Sequence, residues 1–456
     1  MIPVWAQLTY LGAAACFVLA LKGLSSPRTA RAGNLLGAAA ALVAMVVTFI
    51  VYDLDHLGLI LAAIAVGCII GVPAARRVAM TAMPQLVALF NGVGGAAAGL
   101  VAYLELSAAP TVFPLAAGVA TVAVGGVAFS GSVITFLKLQ ELITTRPVTP
   151  PAGPVLFAAS LVVTVVLGVI VYADGGGAGW LGALLGLVAL VVGVLLVLPV
   201  GGADVPIVIS LLNAFTGMAV AASGYVLGNA LLLIGGTLVG ASGSILTRLM
   251  AQAMGRSVVS ILFGAFKGGS TAGGGAVSER PVRSAGADDI AIMLAYARRV
   301  IVVPGYGLAV AQAQHTVHEL VELLEKRGVE TAYAIHPVAG RMPGHMNVLL
   351  AEANVPYEQL LEMETANGQL RTADVALVVG ANDVVNPAAR TSPGSPIYGM
   401  PILDVDHAAA VVFMKRSMRP GFAGIENELL YDPRTTLLFG DAKASLTALV
   451  SAVKAL

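Results

Sequence analysis

Near residue 300 the chain reads Val302-Val303-Pro304-Gly305-Tyr306-Gly307-Leu308-Ala309-Val310, an apolar run that ends in Gly-x-Gly and continues into a segment with helical apolar spacing. This context suits a dinucleotide. The glycines permit a tight turn and close approach to a pyrophosphate, and helix N-terminal amides face the anion. Val310 stands where the usual third glycine would be. The next apolar run ends in Ile335-His336-Pro337, without the acid that commonly bonds the ribose hydroxyls of NAD. Further on, Lys415-Arg416-Ser417 follows Val412-Phe413-Met414 and sets two cations and a hydroxyl at a strand end. A phosphate would find charge-assisted donors there, which favours NADP(H) over NAD(H); the bland alternative is a solvated strand end. Gly-Tyr-Gly also occurs in potassium filters, but here a charged helix follows it.

A second set of candidates lies in apolar surroundings. Asn91, Ser130, Ser132, Asn213, Thr216 and Ser223 could line a narrow hydrated track, because a polar group inside a membrane is costly unless satisfied. Serine and threonine commonly bond their own helix backbone and carry little weight. Asn91 and Asn213 do this less easily and are the stronger pathway candidates. Cys16 and Cys68 sit in apolar runs, outside any metal-ligand or Cys-x-x-Cys spacing, so neither a disulfide framework nor a metal is expected.

The elements that must position these residues fall into two halves. Of 456 residues 58% are hydrophobic and 11% charged, and the mean hydropathy is +0.89, so most of the chain must meet lipid. Lys+Arg and Asp+Glu number 25 each, which leaves no global field for nucleic acid. About nine runs can cross a hydrocarbon core as helices, near 4–21, 34–52, 57–73, 84–104, 113–137, 154–172, 178–199, 206–227 and 230–250. Lys22/Arg28/Arg31, Arg76/Arg77, Lys138/Arg146 and Arg248/Arg256 fall on one side, Asp53/Asp55, Glu105 and Asp174 on the other. The positive-inside rule then puts the N-terminus outside and the C-terminal part in the cytoplasm.

The fold class expected is a polytopic α-helical membrane domain followed by a soluble α/β, Rossmann-like, doubly wound domain. The boundaries are 1–262 for the membrane part, 263–287 for a flexible Gly/Ser-rich linker, and 288–456 for the nucleotide domain. Strands are expected at 300–303, 331–335, 375–379, 401–405, 410–414 and 436–439, with one helix carrying Val310, Ala313, Val317, Leu320 and Leu324 on its apolar face.

Long blocks of the chain resemble the beta subunit of proton-translocating nicotinamide nucleotide transhydrogenases. In the membrane half these are Met83-Pro84-Gln85-Leu86-Val87-Ala88-Leu89-Phe90-Asn91-Gly92 and Ala203-Asp204-Val205-Pro206-Ile207-Val208-Ile209-Ser210-Leu211-Leu212-Asn213-Ala214. In the soluble half they include 305–314, 338–347, 380–387, 396–401, 415–418 and 440–443. The resemblance implies hydride transfer between NAD(H) and NADP(H) coupled to inward proton movement, with no side chain acting as acid or base. It places Gly305, Tyr306, Gly307 and Val310 at the pyrophosphate turn and Lys415, Arg416 and Ser417 at the 2′-phosphate. It completes the site with Val338, Ala339, Gly340, Arg341, Met342, Pro343, Gly344, Gly380, Ala381, Asn382, Asp383, Val384, Gly399, Met400, Asp441 and Ala442. Gly421 and Phe422 belong to a lid.

For the proton path and its coupling the same resemblance implies Asn91, Asp204, Asn213, Arg256 and Asp374, the last as a pH-sensing group beneath the site. Many members of that family carry histidine where Asn91 stands, and asparagine cannot titrate. The implied partners are membrane lipid and alpha subunits that hold NAD(H) and supply the remaining membrane helices, in a dimer of the whole complex. The implied location is the bacterial inner membrane. The alternatives are a nucleotide-gated ion transporter with an NADP-sensing domain, or a structural anchor for another dehydrogenase. The transporter would need a filter or charged residues at mid-membrane.

Overall fold

The structure is a computed structural model, described here for residues 3–52, 54–79, 82–108, 112–144, 147–201, 204–254, 257–263, 280–340, 344–393, 395, 397–421 and 423–456. Among these, nine helices are long and apolar enough to cross a membrane. They are α1 (Val4–Gly23), α2 (Pro27–Val51), α3 (Leu57–Arg77), α4 (Met83–Glu105), α5 (Val112–Leu139), α6 (Gly153–Ala173), α7 (Gly179–Val197), α8 (Val205–Val226) and α9 (Ala230–Ala253). Each starts or stops within a few residues of the expected run. Lys138 does not behave as a loop cation: it is fully buried at the end of α5. Its ammonium donates to the carbonyls of Leu198 and Val200, both at 2.6 Å, at the end of α7.

Small residues set the spacing of the bundle, since the hydrophobic effect does not hold helices together in lipid. A Cβ on Gly217 would come within 2.4 Å of Gly240 N, and one on Gly236 within 2.3 Å of Ala221 N, so α8 and α9 touch backbone to backbone. α4 and α5 are as close, a Cβ on Gly125 falling 2.6 Å from Gly95 O. A short helix, α10 (Val258–Phe263), which the apolar pattern did not single out, follows α9.

The soluble part is a six-stranded parallel sheet in the order β3-β2-β1-β4-β5-β6. In chain order its elements are α11 (Ala287–Ala295), β1 (Arg299–Pro304), α12 (Tyr306–Val310), α13 (Gln314–Lys326), β2 (Glu330–Ile335), α14 (His345–Glu352), β3 (Leu360–Glu362), α15 (Met363–Leu370), β4 (Val375–Val379), α16 (Ala388–Thr391), β5 (Ala410–Lys415), β6 (Thr435–Phe439) and α17 (Ala442–Ala455). The near-continuous apolar strands are buried on both faces, as a doubly wound sheet requires.

Three expectations are corrected. The strand expected over 401–405 is a loop leading into a 3-10 turn at Val405–His407: Ile402 and Leu403 are buried, but no strand among the described residues pairs with them. A three-residue strand, β3, takes the sheet edge instead. The helix expected to run on from the glycine turn breaks after Val310, where Gln312 adopts φ +49°. The last part of the stretch assigned to a flexible linker is docked: Ser284 pairs with Leu437 beside β6, and Val282 packs into the core.

Candidate nucleotide site

β1 and β4 lie side by side at the point where the strand order reverses, so the turns at their C-terminal ends face each other. Ligands of open α/β sheets bind in that crevice. Gly305 N donates to Val379 O and Gly307 N to Gly380 O, both at 2.9 Å. A Cβ on Gly305 would fall 2.4 Å from Ala381 Cα, and one on Gly380, at φ +69°, would fall 2.3 Å from Leu308 N. The two turns therefore demand glycine of each other, before any nucleotide does.

These turns open onto a cavity of about 200 Å³ lined by Gly305, Tyr306, Gly307, Val338, Ala339, Gly340, Gly380, Ala381, Asn382, Asp383, Val384, Met400 and Gly421, with Ile397. Pockets for whole organic ligands run to roughly 300–1,000 Å³. The enclosed space therefore suits one end of a dinucleotide, with the remainder lying outside it. Gly340, at φ +105°, bends the loop over His345: a Cβ there would meet the imidazole Nδ1 at 2.4 Å.

His336, read from sequence only as the missing acid, ties two walls of this cavity together. One ring nitrogen, Nε2, lies 2.7 Å from Pro401 O, and the other, Nδ1, accepts the Val338 amide at 3.2 Å. That pairing makes Nε2 the donor and keeps the ring neutral; burial pushes its pKa down to about 4. On the opposite wall Asp383 Oδ1 accepts from Asn382 Nδ2 at 3.0 Å, and its Oδ2 accepts the Ala423 amide at 2.8 Å.

Lys415, Arg416 and Ser417 stand at the end of β5, one strand beyond β4, with Gly440 N bonded to Lys415 O at 3.1 Å. Lys415 is half-buried rather than freely solvated, and burial holds its pKa below the usual lysine range while Asp383 and Glu426 pull the other way. Arg416 Nε lies 3.8 Å from Asp441 Oδ2. Asp441 also caps α17, its carboxylate accepting the Lys443 and Ala444 amides. Ala442 opens that helix.

Several expected residues do not line the cavity. Val310 ends α12 with 44% of its surface exposed. Gly344 caps α14 at φ +71°, and Gly399 turns a loop at φ +83°. Asp374 lies at the opposite end of β4, about 20 Å away along the strand. There it accepts the Arg298 and Arg299 amides at 2.7 and 3.1 Å, which lower its pKa. Arg256, Arg341, Met342, Pro343 and Phe422 lie outside the described residues.

The roof of the cavity comes from the membrane half and was not expected from the motifs. Leu139 at the end of α5, Pro206 at the start of α8 and Met254 after α9 line the same cavity. Around them Val197, Val200, Ile207 and Met254 share an apolar cluster with Ala388, Ala389, Ile397 and Met400 of the soluble part. Asp204, buried, precedes α8 on this side. Deeper in the bundle Asn91 Nδ2 donates to Ser132 Oγ at 2.9 Å across α4 and α5. Gln85 Oε1, Asn91 Oδ1 and Thr216 Oγ1 are buried without a hydrogen-bond partner among the described residues. Ser130 bonds its own helix, and Ser223 reaches Ala98 O at 3.5 Å. Asn213 is half-buried on α8.

A multi-pass helical bundle that roofs the cleft of a doubly wound sheet defines the class: a membrane protein with a Rossmann-like α/β domain held against its spans. A family model described as NAD(P) transhydrogenase beta subunit matches residues 6–452. Two Rhodospirillum rubrum proteins, each named NAD(P) transhydrogenase subunit beta, are 48% identical to the chain over 461 aligned positions, covering 97% of it and 98% of their own length. The chain belongs to the NAD(P) transhydrogenase beta subunit family.

Proposed function

We propose that this subunit binds NADP(H) in the cleft between the β1 and β4 turns. Together with an alpha subunit holding NAD(H), it passes hydride between the two nucleotides while a proton moves inward across the membrane. The observation that carries the reading is the pair of interlocked glycine turns at the switch point, with Lys415, Arg416 and Ser417 one strand further along and no acid at the end of β2. The residues fit the ligand. Gly305, Gly307 and Gly421 line the cavity and are packed so closely on its walls that a side chain would displace them, a Cβ on Gly421 falling 2.4 Å from Asn382 Nδ2. Arg416 and Lys415 supply charge for a 2′-phosphate.

Bound NADP(H) would supply the hydride donor or acceptor. The protein's own part is orientation and exclusion of water, with no side chain needed as acid or base. The chain has one Gly-x-Gly turn in a strand-helix setting, so NAD(H) falls to the partner. In the spans, the oxygens of Gln85, Asn91 and Thr216, unpaired among the described residues, form polar stations for a hydrated track. Asn91 orders that track rather than titrating, and Asn213 and Asp204 extend it toward the roof. Because Leu139, Pro206 and Met254 cover the cavity, the partner nucleotide reaches it only after the roof and the soluble part separate. Proton occupancy that biases this separation is the coupling step. The domain faces the cytoplasm of a bacterial inner membrane, with the N-terminus outside.

The test uses proteoliposomes holding this chain with its alpha subunit, in which NADPH reduces an NAD analogue while internal pH is recorded. Turnover with a coupled pH change is the expected result. Tight NADP(H) binding with neither would overturn it and favour a nucleotide-gated transporter.

A further inference from the structure

Arg280 is the first described residue after 264–279, the stretch through which the membrane half reaches the soluble domain. Its guanidinium donates twice to Glu428, Nη1 to Oε2 at 2.8 Å and Nη2 to Oε1 at 2.9 Å. The same group lies over the Tyr431 ring, 3.9 Å from its centroid. A flat, forked cation meets both partners at once, which an ammonium cannot do.

Those partners lie in a segment that is bonded to the wall of the nucleotide cleft. The Tyr431 hydroxyl donates to the Glu426 carboxylate. Glu426 O accepts from Asn386 Nδ2 at 3.0 Å, and Asn427 Nδ2 donates to Asn382 O at 3.1 Å. Asn386 and Asn427 are almost wholly buried, so these bonds are fixed points rather than surface contacts. Asn382 and Asp383 line the cavity, and Asp383 holds the Ala423 amide. The segment 423–431 is thus fastened to the cleft at one end and to the tether's exit at the other. Downstream of Arg280 the chain is anchored separately, by Val282 in the core and by Ser284 beside β6, so domain integrity does not depend on the arginine.

We propose that Arg280 is a positioning residue that sets segment 423–431 against the nucleotide cleft and so holds Asn382 and Asp383 in place. The idea rests on the reading of the cleft as the NADP(H) site. Nothing in the hydride chemistry requires this arginine; its effect is on how firmly the cleft holds its nucleotide.

The experiment compares the wild-type complex with Arg280→Gln, Arg280→Lys and Glu428→Gln in proteoliposomes, measuring NADPH release by fluorescence, thermal midpoint, and protons moved per hydride. Removing an exposed bidentate pair and its ring contact should speed release by about three- to tenfold, with Lys intermediate. Glu428→Gln should behave like Arg280→Gln, the midpoint should stay near wild type, and the proton-to-hydride ratio should fall. A lowered midpoint with unchanged release in these variants would make Arg280 a plain anchor and overturn the proposal, as would release unchanged in both Gln variants. Failure of the wild-type complex to bind NADPH would instead sink the reading of the cleft.

Discussion

His336 stays neutral because both ring nitrogens are spoken for, one by the Pro401 carbonyl and one by the Val338 amide, inside the protein core. Its folded pKa of about 4 lies below the ordinary 6.5. The depressed value means that stability from this group is complete above about pH 6.5 and is lost as pH falls toward 4. The full loss is about 3 kcal/mol, taking roughly 1.4 kcal/mol per pH unit. Thermal midpoints of the wild type and His336→Gln should therefore converge between pH 6.5 and 4. Parallel curves across that window would show that the fold does not hold the imidazole neutral. Gly305 offers a second check at this scale. A methyl in Gly305→Ala must displace the backbone of Gly380 and Ala381, not a flexible side chain. NADP(H) affinity should fall about tenfold or more, since overpacking of this kind costs roughly 1–3 kcal/mol; fluorescence titration with NADPH reads this directly.

At the scale of elements, α8 and α9 owe their contact to Gly217, Gly224 and Gly236, where a side chain would meet the opposite backbone. Gly236→Leu should force the pair apart and lower the detergent-solubilised midpoint by several degrees. Gly235→Leu, whose Cβ meets nothing within 4 Å, should not. An equal loss from both would assign the effect to leucine in lipid rather than to helix spacing. The nine spans were legible because length and hydropathy are local properties, and β1, β2, β4, β5 and β6 because each is an apolar run bounded by turns. β3 is three residues long and ends in Glu362, too short to show a period, while the 401–405 run is apolar because it is buried, not because it is paired. The cavity wall was legible through its Gly-rich turns. Its roof was not, since Leu139, Pro206 and Met254 look like ordinary residues at helix ends and acquire their place only when the two halves meet.

For the whole molecule, the meeting of the halves is the arrangement that any coupling must change. The apolar cluster joining α7, α8 and α10 to Ala388, Ala389, Ile397 and Met400 packs beside the cleft on the membrane side. Met254 sits in it with 3% of its surface exposed. Met254→Glu would place a carboxylate in that cluster, a cost of several kcal/mol that separation of the roof relieves. NADP(H) should then leave about tenfold faster or more, while hydride transfer from an added NAD(H)-bound alpha subunit no longer waits for proton movement. Stopped-flow release and internal pH, recorded together in proteoliposomes, decide the matter. Faster release with proton movement per hydride reduced makes the roof the gate between the two nucleotides. Release at the wild-type rate would mean that the contact between the halves is a resting place, and that the proton acts on the cleft through the tether alone.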